Sequence, residues 1–167
     1  MNAKILFGGL ALAGLLLGDA VMIKAQAPGD VTTQLTTVFG SLSLASVNAV
    51  DVWRLTCTST PFLAAQTARA RVLDRGGADG RRIYLHLTRT FNGRTAKTTA
   101  PDGTGLFSPL ASVATGGAGS VHYVQVSKDR TGATVLGIPI AEPYTLQADC
   151  IAGGIVRPHV LTLVQNQ

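Results

Sequence analysis

The side chains best suited to acid–base or nucleophilic chemistry here are His86, His122 and His159, with serines, aspartates and two cysteines. The histidines are scattered and lack metal-ligand spacing. No Gly-x-Ser-x-Gly turn and no phosphate-binding loop occurs. A hydrolase would therefore need the fold to carry His86 or His122 to a nucleophile. His86 alternates with Tyr84 and Thr88, opposite Ile83, Leu85 and Leu87. That parity suits a surface or packing residue rather than a general base, and the Tyr84/His86 side is also a candidate carbohydrate platform. His122 shares the side of Val124 and Val126 within GSVHYVQVSKDRTG (119–132). It reads as a buried or rim histidine with its hydrogen bonds made, followed by an exposed polar turn at Lys128-Asp129-Arg130.

Two further groups of residues carry chemistry. Asp74, Asp79 and Asp102 sit in glycine-rich turns. Oxygen-rich turns can hold calcium, but aspartate also favours turns by bonding its own backbone, and turn chemistry ranks first. No cofactor is expected, with calcium the one alternative. Arg81, Arg82, Arg89, Arg94 and Lys97 gather around one predicted hairpin. Together with Tyr84 and His86 they form a candidate ligand face for an anionic or sugar partner. The plainer reading is an edge strand kept from aggregating by its charge.

The elements that must position these groups are short and extended. Asp51–Cys57 puts Trp53, Leu55 and Cys57 on one side and Arg54 and Thr56 on the other, the alternation of a half-buried strand. Thr67–Leu73, Arg82–Thr90, Arg94–Thr99, Ser120–Ser127, Tyr144–Cys150 and Val160–Val164 read the same way, with a further strand within Leu106–Ala114 after a bend at Pro109. Turns are marked by Asp74–Gly80, Asn92-Gly93, Pro101-Asp102-Gly103 and Gly116–Gly119. No long stretch has a helical period. Many short strands between Gly- and Pro-rich turns predict an all-β, antiparallel β-sandwich. Residues 46–167 are assigned to it, and 28–45 to an extended N-terminal segment with one short strand near Gln34–Phe39.

Residues 1–27 read differently. A basic start at Lys4 leads into the uncharged apolar run Ile5–Gly18. That run is shorter than the roughly 20 residues of a spanning helix and fits a signal peptide. The cut is placed between Ala20 and Ala27, and an uncleaved anchor is the alternative. Export passes the chain through an oxidising compartment, so Cys57 and Cys150 are expected to form a disulfide rather than remain two buried thiols. Two thiols alone cannot build a structural zinc site. The whole chain has 14 basic and 9 acidic residues; removing Lys4, Lys24 and Asp19 leaves 12 and 8, a net charge of +4. This mild charge favours anionic polymers or envelope surfaces. It is not a nucleic-acid signature, because there is no basic stripe with interleaved aromatics.

Three pieces, taken in order, resemble the bacterial pre-peptidase C-terminal domain family. Asp51-Val52-Trp53-Arg54-Leu55 is similar to its opening strand. Ile83-Tyr84-Leu85-His86-Leu87, with Asn92-Gly93 and Pro101-Asp102-Gly103, is similar to its middle. Gly119–Ser127, with Pro143-Tyr144-Thr145-Leu146, is similar to its ending. The likeness covers about residues 46–152 and implies a jelly-roll-like sandwich. It also implies a non-catalytic role, assisting secretion or binding polymers such as collagen and polysaccharide. The cysteines depart from the family pattern, no peptidase is attached, and the acidic pairs that hold calcium in some relatives are not matched, so a standalone role is implied.

The expectation is thus a secreted or periplasmic, non-catalytic module that binds a glycan or protein in the envelope or outside the cell. It would bind no nucleic acid, keep no membrane span after processing, and be open to forming a homo-oligomer. The second reading is a structural subunit of a surface assembly whose arm, Val31–Ser43, adds a strand to a neighbour. A small secreted hydrolase is the third.

Overall fold

A computed structural model of the chain describes residues 35–42, 49–58, 67–77, 80–90, 92–115, 119–128 and 141–166. The expected leader, Asp79 and the turn residues Asp129 and Arg130 lie outside the described residues. The strands are β1 (Thr36–Leu42), β2 (Val50–Cys57), β3 (Thr67–Asp74), β4 (Ile83–Arg89), β5 (Thr95–Thr99), β6 (Ala111–Ala114), β7 (Ser120–Lys128), β8 (Glu142–Ala152), β9 (Ile155–Arg157) and β10 (His159–Gln165).

They form two antiparallel sheets. The β8 sheet runs β1-β8-β3-β6, with β9 also paired to β8. The β7 sheet runs β10-β2-β7-β4-β5. Taken without β9 and β10, four strands face four in jelly-roll order. The expected sandwich is present, and its strands follow the expected alternation. Trp53, Leu55 and Cys57 of β2 are buried, as are Ala68, Ala70 and Val72 of β3 and Ile83, Leu85 and Leu87 of β4. Val124 and Val126 of β7 and Tyr144, Leu146, Ala148 and Cys150 of β8 complete one core. Alternation works here because each sheet hides only one face, and a slip of one residue would expose the whole set.

Expectations for the N-terminal segment are corrected. The strand anticipated near Gln34–Phe39 spans Thr36–Leu42 and pairs with β8 along its whole length. The sandwich therefore includes residues assigned to the N-terminal segment, with Leu42 fully buried and Val38 against the core. The same pairing uses the middle of the supposed free arm within its own chain. The strand anticipated within Leu106–Ala114 is regular only from Ala111, past the expected bend at Pro109; Phe107 keeps a single bridge to Leu73. The expected pairing of the two cysteines is present. They form a disulfide, Cα to Cα 5.7 Å, that spans the core from the β7 sheet to the β8 sheet.

A second fastener joins the same two strands at their other end. The Tyr144 hydroxyl donates to Asp51 Oδ2 at 2.5 Å and accepts from Trp53 Nε1 at 2.9 Å. Burial, then the adjacent Asp51 carboxylate, push the Tyr144 hydroxyl far above its ordinary pKa, so it stays a donor. Asp51–Tyr144 and Cys57–Cys150 are both 93 residues apart. Equal separation means that β2 and β8 face each other running in the same direction.

Candidate functional site

The outward face of the β7 sheet gathers polar and aromatic side chains in lateral rows. Tyr84 stands between Thr99 of β5 and Ser127 of β7. His86 stands between Lys97 and Gln125, and Gln125 is followed by Val52 of β2. Thr88 stands beside Tyr123, then Arg54, then Thr162 of β10. Each residue faces out because its strand neighbours are core residues, so hydrophobic burial aims the polar set at solvent. Tyr84 and Tyr123 lie four residues apart along paired strands, about 13 Å at the rise of a strand. Two rings at that spacing suit an extended chain better than one small molecule. Partial burial, then Lys97, lower the pKa of His86. At neutral pH its ring is uncharged, offering one donor and one acceptor.

One end of this face runs into an open cleft of about 530 Å³ lined by Gly80, Arg82, Thr99, Ala100, Pro101 and Asp102. Thr99 connects it to Tyr84. Asp102 Oδ2 accepts from the Gly80 backbone N–H at 2.8 Å, which holds the two loops that form the cleft.

The residues expected to form the ligand face are divided by the fold. Tyr84, His86 and Lys97 share it, Arg82 lies at the cleft, and Arg94 is exposed in the turn beside Asn92-Gly93. Arg81 and Arg89 do not share it. They take the inward parity of Ile83, Leu85 and Leu87, and Arg81 is buried. Lys97 occupies β5, which closes the sheet, as charge guarding an edge requires. Sequence reasoning missed the contribution of Tyr123, Gln125 and Arg54. Their outward parity was legible, but their place beside Tyr84 and His86 depends on β2-β7-β4 pairing.

The two calcium candidates among the described residues have backbone partners. Asp74, itself buried, accepts through Oδ1 from the Gly76 N–H at 2.8 Å, and Asp102 accepts from Gly80. Among the described residues no three His, Cys, Asp or Glu side chains converge on a metal position. The other two histidines face inward. His159 Nδ1 donates to the Arg157 carbonyl at 2.8 Å, and Nε2 is hydrogen-bonded to the Thr36 hydroxyl at 2.9 Å. His122 is buried on the valine side, between Leu55 and Arg89. Its ring has no hydrogen bond of good geometry among the described residues, contrary to the satisfied ring expected. Across the sheet His86 meets Lys97 and Gln125, and His122 meets Leu55 and Arg89, not a serine, cysteine or carboxylate.

The outward face of the β8 sheet is built differently, because its polar groups hold one another. Arg69 forms an ion pair with buried Asp149. Arg71 donates to Gln147, which donates to Thr37. Arg71 and Arg75 also lie over the rings of Phe107 and Phe39 at 4.5 and 5.3 Å.

The fold and this face define a jelly-roll β-sandwich with one polar, aromatic sheet surface. No family model matches the chain, and no curated protein or solved structure matches it either.

Proposed function

We propose that this chain is a non-catalytic, exported binding module, a relative of the pre-peptidase C-terminal domains, which holds an envelope or extracellular glycan or protein on its β7 sheet. The observation that carries the reading is the juxtaposition of Tyr84, His86, Lys97, Gln125, Tyr123 and Arg54 on one sheet face that leads into a cleft. Aromatic rings supply apolar contact area and the neutral imidazole, amide and cations supply hydrogen bonds, a combination suited to polyhydroxylated or mixed polar surfaces. Export is supported by the apolar run after Lys4 and by the disulfide. Among the described residues no helix is long and apolar enough to cross a membrane. The mechanism needs no cofactor: binding follows from a rigid sheet that presents its groups in fixed register.

A glycan array and an envelope pull-down with the exported chain test this reading. Tyr84→Ala with Tyr123→Ala is expected to weaken retention by about tenfold or more, since anchoring rings dominate such surfaces. Phe39→Ala on the opposite face serves as the control. Equal retention by all three proteins would defeat the assignment of this face.

A further inference from the structure

The two sides of the sandwich differ in how their strand edges are protected. On one side lie β5, which carries Lys97 and follows Arg94, and β6, only four residues long. On the other lie β10 and β1, linked by the His159–Thr36 hydrogen bond. Neither His159–Gln165 nor Thr36–Leu42 contains Lys, Arg, Asp, Glu or Pro. Charge, proline and shortness are the usual devices that stop an edge from pairing with another chain, and both seven-residue strands lack them. Among the described residues the one such device is a bulge near Val164, at the end of β10, which leaves His159–Leu163 in regular register. Val38 and Leu163, one on each strand, remain only half-buried although they touch the core. Val164 is 51% exposed.

The sequence of this edge indicates its partner. Residues 160–164 read Val-Leu-Thr-Leu-Val, a palindrome about Thr162. In an antiparallel pair of identical strands centred there, Val160 meets Val164, Leu161 meets Leu163, and Thr162 meets itself. Like meets like on each face without charge repulsion, as cross-strand pairing favours. The same operation at β5 would bring lysines together.

We propose that β10 pairs with β10 of a second copy about a two-fold axis at Thr162, joining the two five-stranded β7 sheets into one continuous sheet. Such an axis is perpendicular to the sheet, so both outward faces lie on the same side. Arg54, beside Thr162, then flanks the seam in each copy. The dimer stands on the edge alone, whatever the face binds; a ligand long enough to cross the seam would gain avidity.

The exported chain is sedimented over a concentration series, and a dimer is expected. Val160→Lys with Val164→Lys weakens it by about tenfold or more, because like charges become opposed. Val160→Lys with Val164→Glu retains it, because the two-fold makes each lysine face a glutamate. Thermal melts check that each variant is folded. As a second measurement, Thr162→Cys gives a disulfide-linked dimer on a non-reducing gel, whereas Lys97→Cys on β5 does not. A wild-type monomer throughout, a dimer indifferent to both charge pairs, or equal cross-linking at both cysteines overturns the proposal.

Discussion

His122 sits on the inner face of β7 with Leu55 on one side and Arg89 on the other. Burial, then the Arg89 cation, lower its pKa from 6.5 to about 4; the Ser120 backbone opposes this, without good hydrogen-bond geometry. The folded chain thus resists a proton that the unfolded chain accepts. Stability from this residue is complete above pH 6.5, declines as the pH falls towards 4, and levels off below it, a total of about 3 kcal/mol. Urea unfolding at a series of pH values should show this decline in the wild type, and a shallower one in His122→Leu. Equal slopes would mean the ring is not the titrating group. Parity alone placed this histidine on the valine side. It did not reveal that Arg89 would be the facing residue, because the β4–β7 register joins segments distant in sequence.

At the scale of the element, β1 shows how one missing side chain admits another. Gly40 pairs with Tyr144, and a Cβ added at Gly40 would stand 2.3 Å from the Tyr144 ring. That ring is fully buried, and its hydroxyl is tied to Asp51 and Trp53, so it has little room to retreat. Gly40→Ala is expected to cost about 2 kcal/mol or more by overpacking. Gly77→Ala, where a Cβ would meet nothing within 4 Å, should stay within about 0.5 kcal/mol of the wild type. Denaturant midpoints compare them, and similar values would remove the argument for a close approach. The Thr- and Ser-rich composition around Gly40 reads as an extended segment because half of β1 faces solvent at a sheet edge. Its membership in the sandwich became visible only through β8.

Across the whole molecule, β2 and β8 are fastened at both ends, by the disulfide and by the Asp51–Tyr144–Trp53 cluster. The disulfide closes a loop of 93 residues, and a chain-entropy argument gives it a stabilisation of about 4–5 kcal/mol. Cys57→Ala with Cys150→Ala should therefore lower the melting temperature markedly and shift the urea midpoint downward, while the circular dichroism spectrum stays that of β structure. An unchanged midpoint would show that the core and the polar cluster hold the sheets together unaided.

Alternation along each strand is a local property. The residues themselves therefore determined which segments are extended, which side of each is greasy and where Asn92-Gly93 turns. Tertiary structure alone decided the order of strands within the sheets. It set Tyr123, Gln125 and Arg54 beside Tyr84 and His86, turned Arg81 and Arg89 inward, and left β10 at an uncharged edge. The reason is that ladder hydrogen bonds join identical backbone groups from segments far apart in the chain, so a period of two specifies a face but not a neighbour.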